Sequence, residues 1–242
     1  MTAAIDIVVR SYYRDRHWLT LALRSIAMFA SGYRQVVVVV PQASVSRMNL
    51  TVSEVDMRLL VCRDYDDDYL GQQITKLHAD LCTDADAILH LDSDQVFVAP
   101  CDLQARLFDQ GRPRMVFDSS SRRQAIDGWR HCPSGFFGEP VPLDLTAPPP
   151  LVVPSHVHAE LRALCCDLHG RSITEYALAA GADRFCEFAL LRGYALTREP
   201  EEYAWIDAVH HRLLPECQSF WSRAETPASV ADRLPAALAS EL

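Results

Sequence analysis

Glycine is scarce in this chain, nine residues in 242, and none sits where a phosphate-binding loop would need it. No Gly-x-Gly-x-x-Gly follows the first apolar segment, which argues against a dinucleotide-binding dehydrogenase. The eight cysteines form no Cys-x-x-Cys pair and no regular spacing. They read as reduced, buried thiols of a cytoplasmic protein, not as a disulfide frame or a zinc site. Positive charge is also short: 23 Lys and Arg stand against 32 Asp and Glu, a net charge of −9. A broad surface tracking nucleic-acid phosphates is therefore not expected, although a locally basic pocket is compatible with that balance. No apolar run approaches the ~20 residues of a membrane span. The opening Met-Thr-Ala-Ala-Ile-Asp has no basic stretch, so no secretory leader is expected. Internal repeats are absent.

What remains is an ordinary globular composition, 49% hydrophobic, patterned as alternating strands and helices. Ile5 to Val9 is apolar except at Asp6, as a strand covered on both faces would be. From Trp18 to Ala30, Leu19, Ala22, Leu23, Ile26, Ala27 and Ala30 make a helical stripe that Ser31-Gly32 ends. Val36–Val40 and Met57–Cys62 read as two further strands, giving the β-α-β start of a parallel sheet. The acidic loop Asp64–Tyr69 suits a helix start, and a helix is expected from Leu70 to Cys82. Gln73, Lys76 and Asp80 would share its polar face. Seven of the 14 prolines fall between Pro133 and Pro154, predicting a surface loop that is neither helix nor central strand. Asp127-Gly128-Trp129 reads as a turn, and Leu151–Val153 as a short strand. Helices are expected from Ser155, as its cap, to Gly170, from Ser172 to Ala180, and from Ala228 to Leu242.

The stretch with most chemistry is Ala87-Ile88-Leu89-His90-Leu91-Asp92-Ser93-Asp94. It reads as a buried strand ending in two carboxylates. Ligands of open α/β sheets bind beyond the carboxyl ends of the strands. Residues i and i+2 on extended backbone point the same way, so Asp92 and Asp94 would repel unless a cation intervened. A hard divalent ion such as Mg²⁺ or Mn²⁺ answers that need; a solvated Asx turn is the alternative reading. Lys76 could reach the same end of the sheet, or be an ordinary surface lysine. Glu187 stands alone in the apolar run Phe185–Leu191, either as a base or acceptor-binding group, or as the partner of Arg184 or Arg192. His156 and His158 suit structural or substrate-contact roles better than metal binding.

Three features together resemble nucleotide-sugar-dependent glycosyltransferases of the GT-A type. They are the opening strand-helix-strand with Arg10 and Ser11, the run Tyr69-Leu70-Gly71-Gln72-Gln73-Ile74-Thr75-Lys76-Leu77 leading to Leu91-Asp92-Ser93-Asp94, and the later Phe185–Phe188 and Ser219-Phe220-Trp221-Ser222. Their order resembles bacterial and phage glycosyltransferase-like proteins with a Gln-Gln-x-x-Lys-Leu helix before an Asp-x-Asp strand. The resemblance implies a GT-A-like, Rossmann-like α/β domain, with a mostly parallel sheet flanked by helices. A nucleotide-sugar half (1–132) and an acceptor-side half (133–242) would share that one domain. Asp92 would contact the ribose or the metal, and Asp94 would bind Mn²⁺ or Mg²⁺ directly. Arg10, Ser11, Gln73, Lys76 and Trp221 would lie near the nucleotide. A further metal ligand would come from His210 or His211, and Glu187 would be the base of an inverting transfer to a glycan or other hydroxyl acceptor.

Three rivals share part of the pattern. A haloacid-dehalogenase-like phosphatase also uses Asp-x-Asp after a strand, normally the first. A sugar-phosphate nucleotidyltransferase would need glycine in the loop after Val9. A non-catalytic nucleotide-sugar-binding module would bind without turnover.

Overall fold

The computed structural model describes residues 3–48, 55–120 and 127–240. Part of the polar stretch 118–123 and the last two residues of the expected C-terminal helix lie outside them. Five strands form the central sheet: β1 (Ile5–Arg10), β2 (Gln35–Pro41), β3 (Met57–Cys62), β4 (Ala87–Asp92) and, far along the chain, β7 (Leu151–Pro154). Their order is β7-β4-β1-β2-β3, parallel throughout except for β7, which runs antiparallel along β4. The chain is thus α/β with a mostly parallel sheet flanked by helices.

Side-chain alternation divides the sheet into two faces. Ile5, Ile7 and Val9 of β1, with Leu89 and Leu91 of β4, pack on Leu19, Leu23 and Ile26 of helix α1 (Arg16–Phe29). The even-numbered residues Val8, Arg10, His90 and Asp92 therefore face the other way. That side carries α2 (Asp68–Lys76), α4 (Ser155–His169) and α6 (Glu187–Arg198). Leu70, Ile74, Val157, Leu161 and Leu190 of these helices share one buried cluster with Leu151 and Val153 of β7.

Beyond Asp92, smaller sheets follow, two of whose strand pairings bear on the site. β5 (Gln95–Phe97) pairs antiparallel with β9 (Cys217–Ser219), and β6 (Arg112–Phe117) pairs parallel with β8 (Ala204–Asp207). The first pairing carries the chain's C-terminal part back to the Asp pair.

Four expectations are corrected by local chemistry. α2 stops at Lys76, because Leu77 Nα and the His78 ring both turn to the Ile74 carbonyl; Ala79–Leu81 is a separate 3-10 turn. Residues 127–137 form helix α3 (Asp127–Phe137), despite Pro133. Burial of Cys132, Phe136 and Phe137 outweighs the lost backbone bond, and Gly193 of α6 admits the contact. A Cβ on Gly193 would lie 2.6 Å from the Phe137 ring and 3.2 Å from Pro133. Ser155 is the first residue of α4 and not its cap. Pro227–Arg233 is 3-10 and Ala236–Ala239 a single helical turn, with Pro235 between them where one continuous helix was expected. Helix α5 (Ile173–Ala180) begins as expected, with Ser172 and Glu175 in a reciprocal capping box.

Among the described residues no helix is long and apolar enough to cross a membrane. All eight cysteines are free thiols.

The amino end of the sheet is pinned by Asp6, fully buried on β1. It accepts from Arg34 Nε (2.9 Å) and Nη2 (2.8 Å), from Gln35 Nε2 (2.7 Å), and from Thr83 Oγ1. Burial alone would raise its pKa, but these donors outweigh it and hold the carboxyl below its ordinary 3.8. Asp6→Ala should lower unfolding free energy by about 2–3 kcal/mol in a denaturant titration. That is below the 3–5 of a fully buried pair because Arg34 reaches solvent. The folded pKa is depressed, so the wild type's advantage over Asp6→Asn is complete above about pH 5, begins to fall near 3.8 and is lost as pH drops through the lower folded value.

Candidate functional site

β1 and β4 end side by side, with Arg10 opposite Asp92 in the parallel register. Both side chains lie on the α2 face. Arg10 makes a two-pronged pair with Asp68 in the first turn of α2, Nη1 to Oδ2 being 3.0 Å. Asp67 caps the same helix by accepting from the backbone of Tyr69 (2.9 Å) and Leu70 (3.3 Å). The acidic loop thus divides its labour: one carboxylate holds the helix end and the next holds the strand end.

Two turns along α2, Lys76 is 3% exposed, and its ammonium lies between two carboxylates. Nζ donates to Asp92 Oδ1 at 2.6 Å and to Glu187 Oε1 at 3.1 Å, and it sits 4.5 Å from the centre of the Phe188 ring. Burial opposes its charge, but Asp92 and Glu187 outweigh burial and raise its pKa further. One ammonium serves two carboxylates here. Glu187, 5% exposed, is the more buried of the two, and burial pushes its pKa up against the pull of Lys76. Its other oxygen faces Gln73, whose amide nitrogen reaches Glu187 Oε2 (3.1 Å) and the Phe185 carbonyl (2.8 Å) in the orientation that satisfies both. Neither arginine weighed as a partner for Glu187 takes that role. Arg184 Nε donates to the Ala180 carbonyl, and Arg192 donates to the carbonyls of Leu145 and Ala147 in the proline-rich loop.

The turn after β4 is braced from several directions. Gln95 Oε1 accepts from Asp92 Nα at 3.0 Å, while its Nε2 donates to Ser219 Oγ (3.0 Å) and to the Pro149 carbonyl. Phe220 Nα donates to the Asp94 carbonyl at 2.9 Å, and Ser222 Nα to Asp94 Oδ2 at 3.1 Å. A third carboxylate joins the pair: Asp15, just before α1, accepts from Ser93 Oγ at 3.3 Å. Burial, then the charge of Asp94, pushes Asp15 up to about 6. Asp94 is likewise raised, by burial and then by Asp92. Ser11 Oγ at the end of β1 is buried with no hydrogen-bond partner.

The comparisons add nothing to this geometry. No match was found among protein-family models or curated proteins.

Of the residues singled out in the sequence, Gln73, Lys76, Asp92 and Glu187 form one connected network; Arg10 stands opposite Asp92 in the strand register but pairs with Asp68, and Ser11 and Asp94 adjoin. Trp221 is 66% exposed on the Ser219–Ser222 segment that wraps the Asp94 turn. His210 and His211 are exposed in the turn after β8, their backbone N–H groups bonded to the Asp207 carbonyl. Nothing ties either imidazole to the Asp pair; His211 lines a cavity with Pro148–Pro150 and Ser219. Asp80 leaves the face of Gln73 and Lys76, because α2 has ended, and pairs with Arg162 of α4 (2.5 and 2.7 Å). Sequence reasoning missed Asp15, Asp68, Ser222 and Arg223, whose guanidinium lies 4.8 Å from the Tyr69 ring centre. For Asp15 the available signal was an acid in the loop after β1, at the same end of the sheet as Asp92.

Removing Lys76 alone strands buried Glu187, so Lys76→Met should cost about 3–5 kcal/mol in denaturant unfolding. Lys76→Met combined with Glu187→Gln should be more stable than Lys76→Met alone. Additive losses in that cycle would mean that the two groups are not coupled.

Proposed function

We propose that this chain is a GT-A-like glycosyltransferase that moves a sugar from a nucleoside-diphosphate sugar to an acceptor hydroxyl, with Mn²⁺ or Mg²⁺ as cofactor. The observation that carries this reading is the convergence of Asp15, Asp92 and Asp94 at the carboxyl end of β4. Of the nearby cations, Arg10 is committed to Asp68 and Lys76 to Asp92 and Glu187, while Arg223 offsets only a little of the burial and Asp94 charge that raise Asp15. The site therefore holds surplus negative charge, as a cation site would. Oxygen donors of this kind suit a hard divalent ion. Asp94 would hold it, with Asp92 and Asp15 beside it. Once bound, such an ion stabilises the charge that develops on the diphosphate leaving group.

The chain's own residues set the stage for that chemistry. Lys76 fixes the Asp92 carboxylate from beneath, while Gln95 fixes its backbone. The Ser219–Ser222 segment holds Asp94 by two backbone N–H groups, so the two acids are oriented by separate parts of the chain. Both oxygens of Glu187 are engaged by Lys76 and Gln73. In this reading Glu187 therefore acts by positioning Lys76, and an acceptor hydroxyl would have to displace one of those partners to use it as a base.

The test is calorimetric titration of nucleoside diphosphates with and without Mn²⁺. Binding should require the ion and weaken by at least about tenfold in Asp94→Asn. Glu187→Gln should reduce donor binding and transfer together; a loss of transfer with donor binding intact would restore Glu187 to the role of base. Ion-independent binding, or phosphate release from a phosphomonoester that needs Asp92, would overturn the proposal in favour of a non-catalytic module or a phosphatase.

A further inference from the structure

The opposite end of the sheet carries a second group of ligating side chains. Pro154 of β7 pairs with Ala87, the first residue of β4, whereas Asp92 is the last. Five residue steps, roughly 17 Å, separate the two ends. α4 starts directly after Pro154 and places His156 and Glu160 one turn apart. Glu199, the cap residue that ends α6, completes the group. One donor atom from each residue lies within 4.8 Å of the other two. His156 Nε2 and Glu199 Oε2 are 3.5 Å apart, too far for a good hydrogen bond.

Two tyrosines stand behind the carboxylates. Tyr194 donates its hydroxyl to Glu160 Oε2. Tyr203 is 2% exposed and aims its hydroxyl at Glu199 Oε2 across 3.5 Å, well beyond an ordinary O–H···O bond. This buried hydroxyl thus orients Glu199 through a long hydrogen bond. A cavity of about 690 Å³ opens at the same place, lined by His156, Glu199, Tyr203, Arg112 and Arg198.

We propose that His156, Glu160 and Glu199 bind a divalent cation of borderline hardness, such as Zn²⁺. One imidazole with two carboxylates is a donor set suited to such ions. Hydrogen bonds from outer groups commonly orient ligating carboxylates, and Tyr194 and Tyr203 are placed for that work. Three protein ligands leave coordination positions open toward the cavity. The site shares no residue with the Asp92–Asp94 turn, so it stands or falls independently of sugar transfer.

Co²⁺ is a suitable probe because its visible bands report coordination, and thiolate ligands betray themselves by strong near-ultraviolet absorption. The full chain, kept reduced, is titrated with Co²⁺ while bound metal is counted by equilibrium dialysis. The count should fall by one per chain in His156→Ala and again by one, relative to wild type, in Glu199→Gln. Tyr203→Phe should weaken that ion by about tenfold. Asp94→Asn should leave it in place whether or not that residue serves a second ion. An unchanged count in both His156→Ala and Glu199→Gln, with far-ultraviolet circular dichroism as in wild type, would overturn the proposal. So would a spectrum dominated by thiolate absorption.

Discussion

The charge of Lys76, buried between Asp92 and Glu187, is the contact on which the rest of the site depends. It joins three elements distant in sequence: the end of α2, the end of β4 and the first turn of α6. A buried ammonium is tolerable only when carboxylates compensate it with good geometry. Here two of them do, at 2.6 and 3.1 Å. Removing water from this junction strengthens each interaction and makes each partner indispensable. The same junction fixes the orientation of Asp92 at the mouth of the sheet, so stability and site geometry share one cause.

Alternation along β1 and β4 explains why this junction forms where it does. The odd-numbered residues are committed to α1, which sends Arg10 and Asp92 to the α2 side in matching register. Helix α2 then supplies an acid for the arginine and a base for the aspartate, eight residues apart: Asp68 at its first turn and Lys76 at its last. A helix running from strand mouth to strand mouth can do both at once. Gln73 lies one turn before Lys76 and binds Glu187 from its other side, so a single helical face carries the network.

Local pattern made much of this legible. The strands of the central sheet and α1 follow from periodicity that acts over a few residues. Gln73, Lys76 and Asp92 were readable for the same reason, since helical and strand spacing places them at one end of the sheet. The losses occurred where tertiary contacts override local rules. Pro133 sits inside a helix because buried aromatics and Gly193 make room for it. α2 ends early because the His78 ring competes for a carbonyl. Glu187 could be recognised as a buried acid in need of a partner, but periodicity cannot reveal that the partner lies 111 residues earlier. Asp15 showed in the sequence only as an acid in the loop after β1; that this loop meets Asp94 depends on β1 and β4 being neighbours in the sheet.

The carboxylates at that mouth work against stability. Raising Asp15 from its ordinary 3.8 to about 6 represents roughly 3 kcal/mol of unfavourable interaction with its ionised form, most of it from burial and Asp94. A group with that pKa is still about nine-tenths ionised at pH 7, so protonation does not relieve the repulsion in neutral solution. Replacing one acid by an amide would relieve it at once. The adjoining groups instead preserve the acids: Ser93 and Ser222 donate to Asp15 and Asp94, and Lys76 is turned to Asp92 alone among the three. Such a fold holds three like charges together with donors and leaves a surplus of negative charge at the sheet mouth. That is the physical ground on which a cation-dependent reading of this site rests.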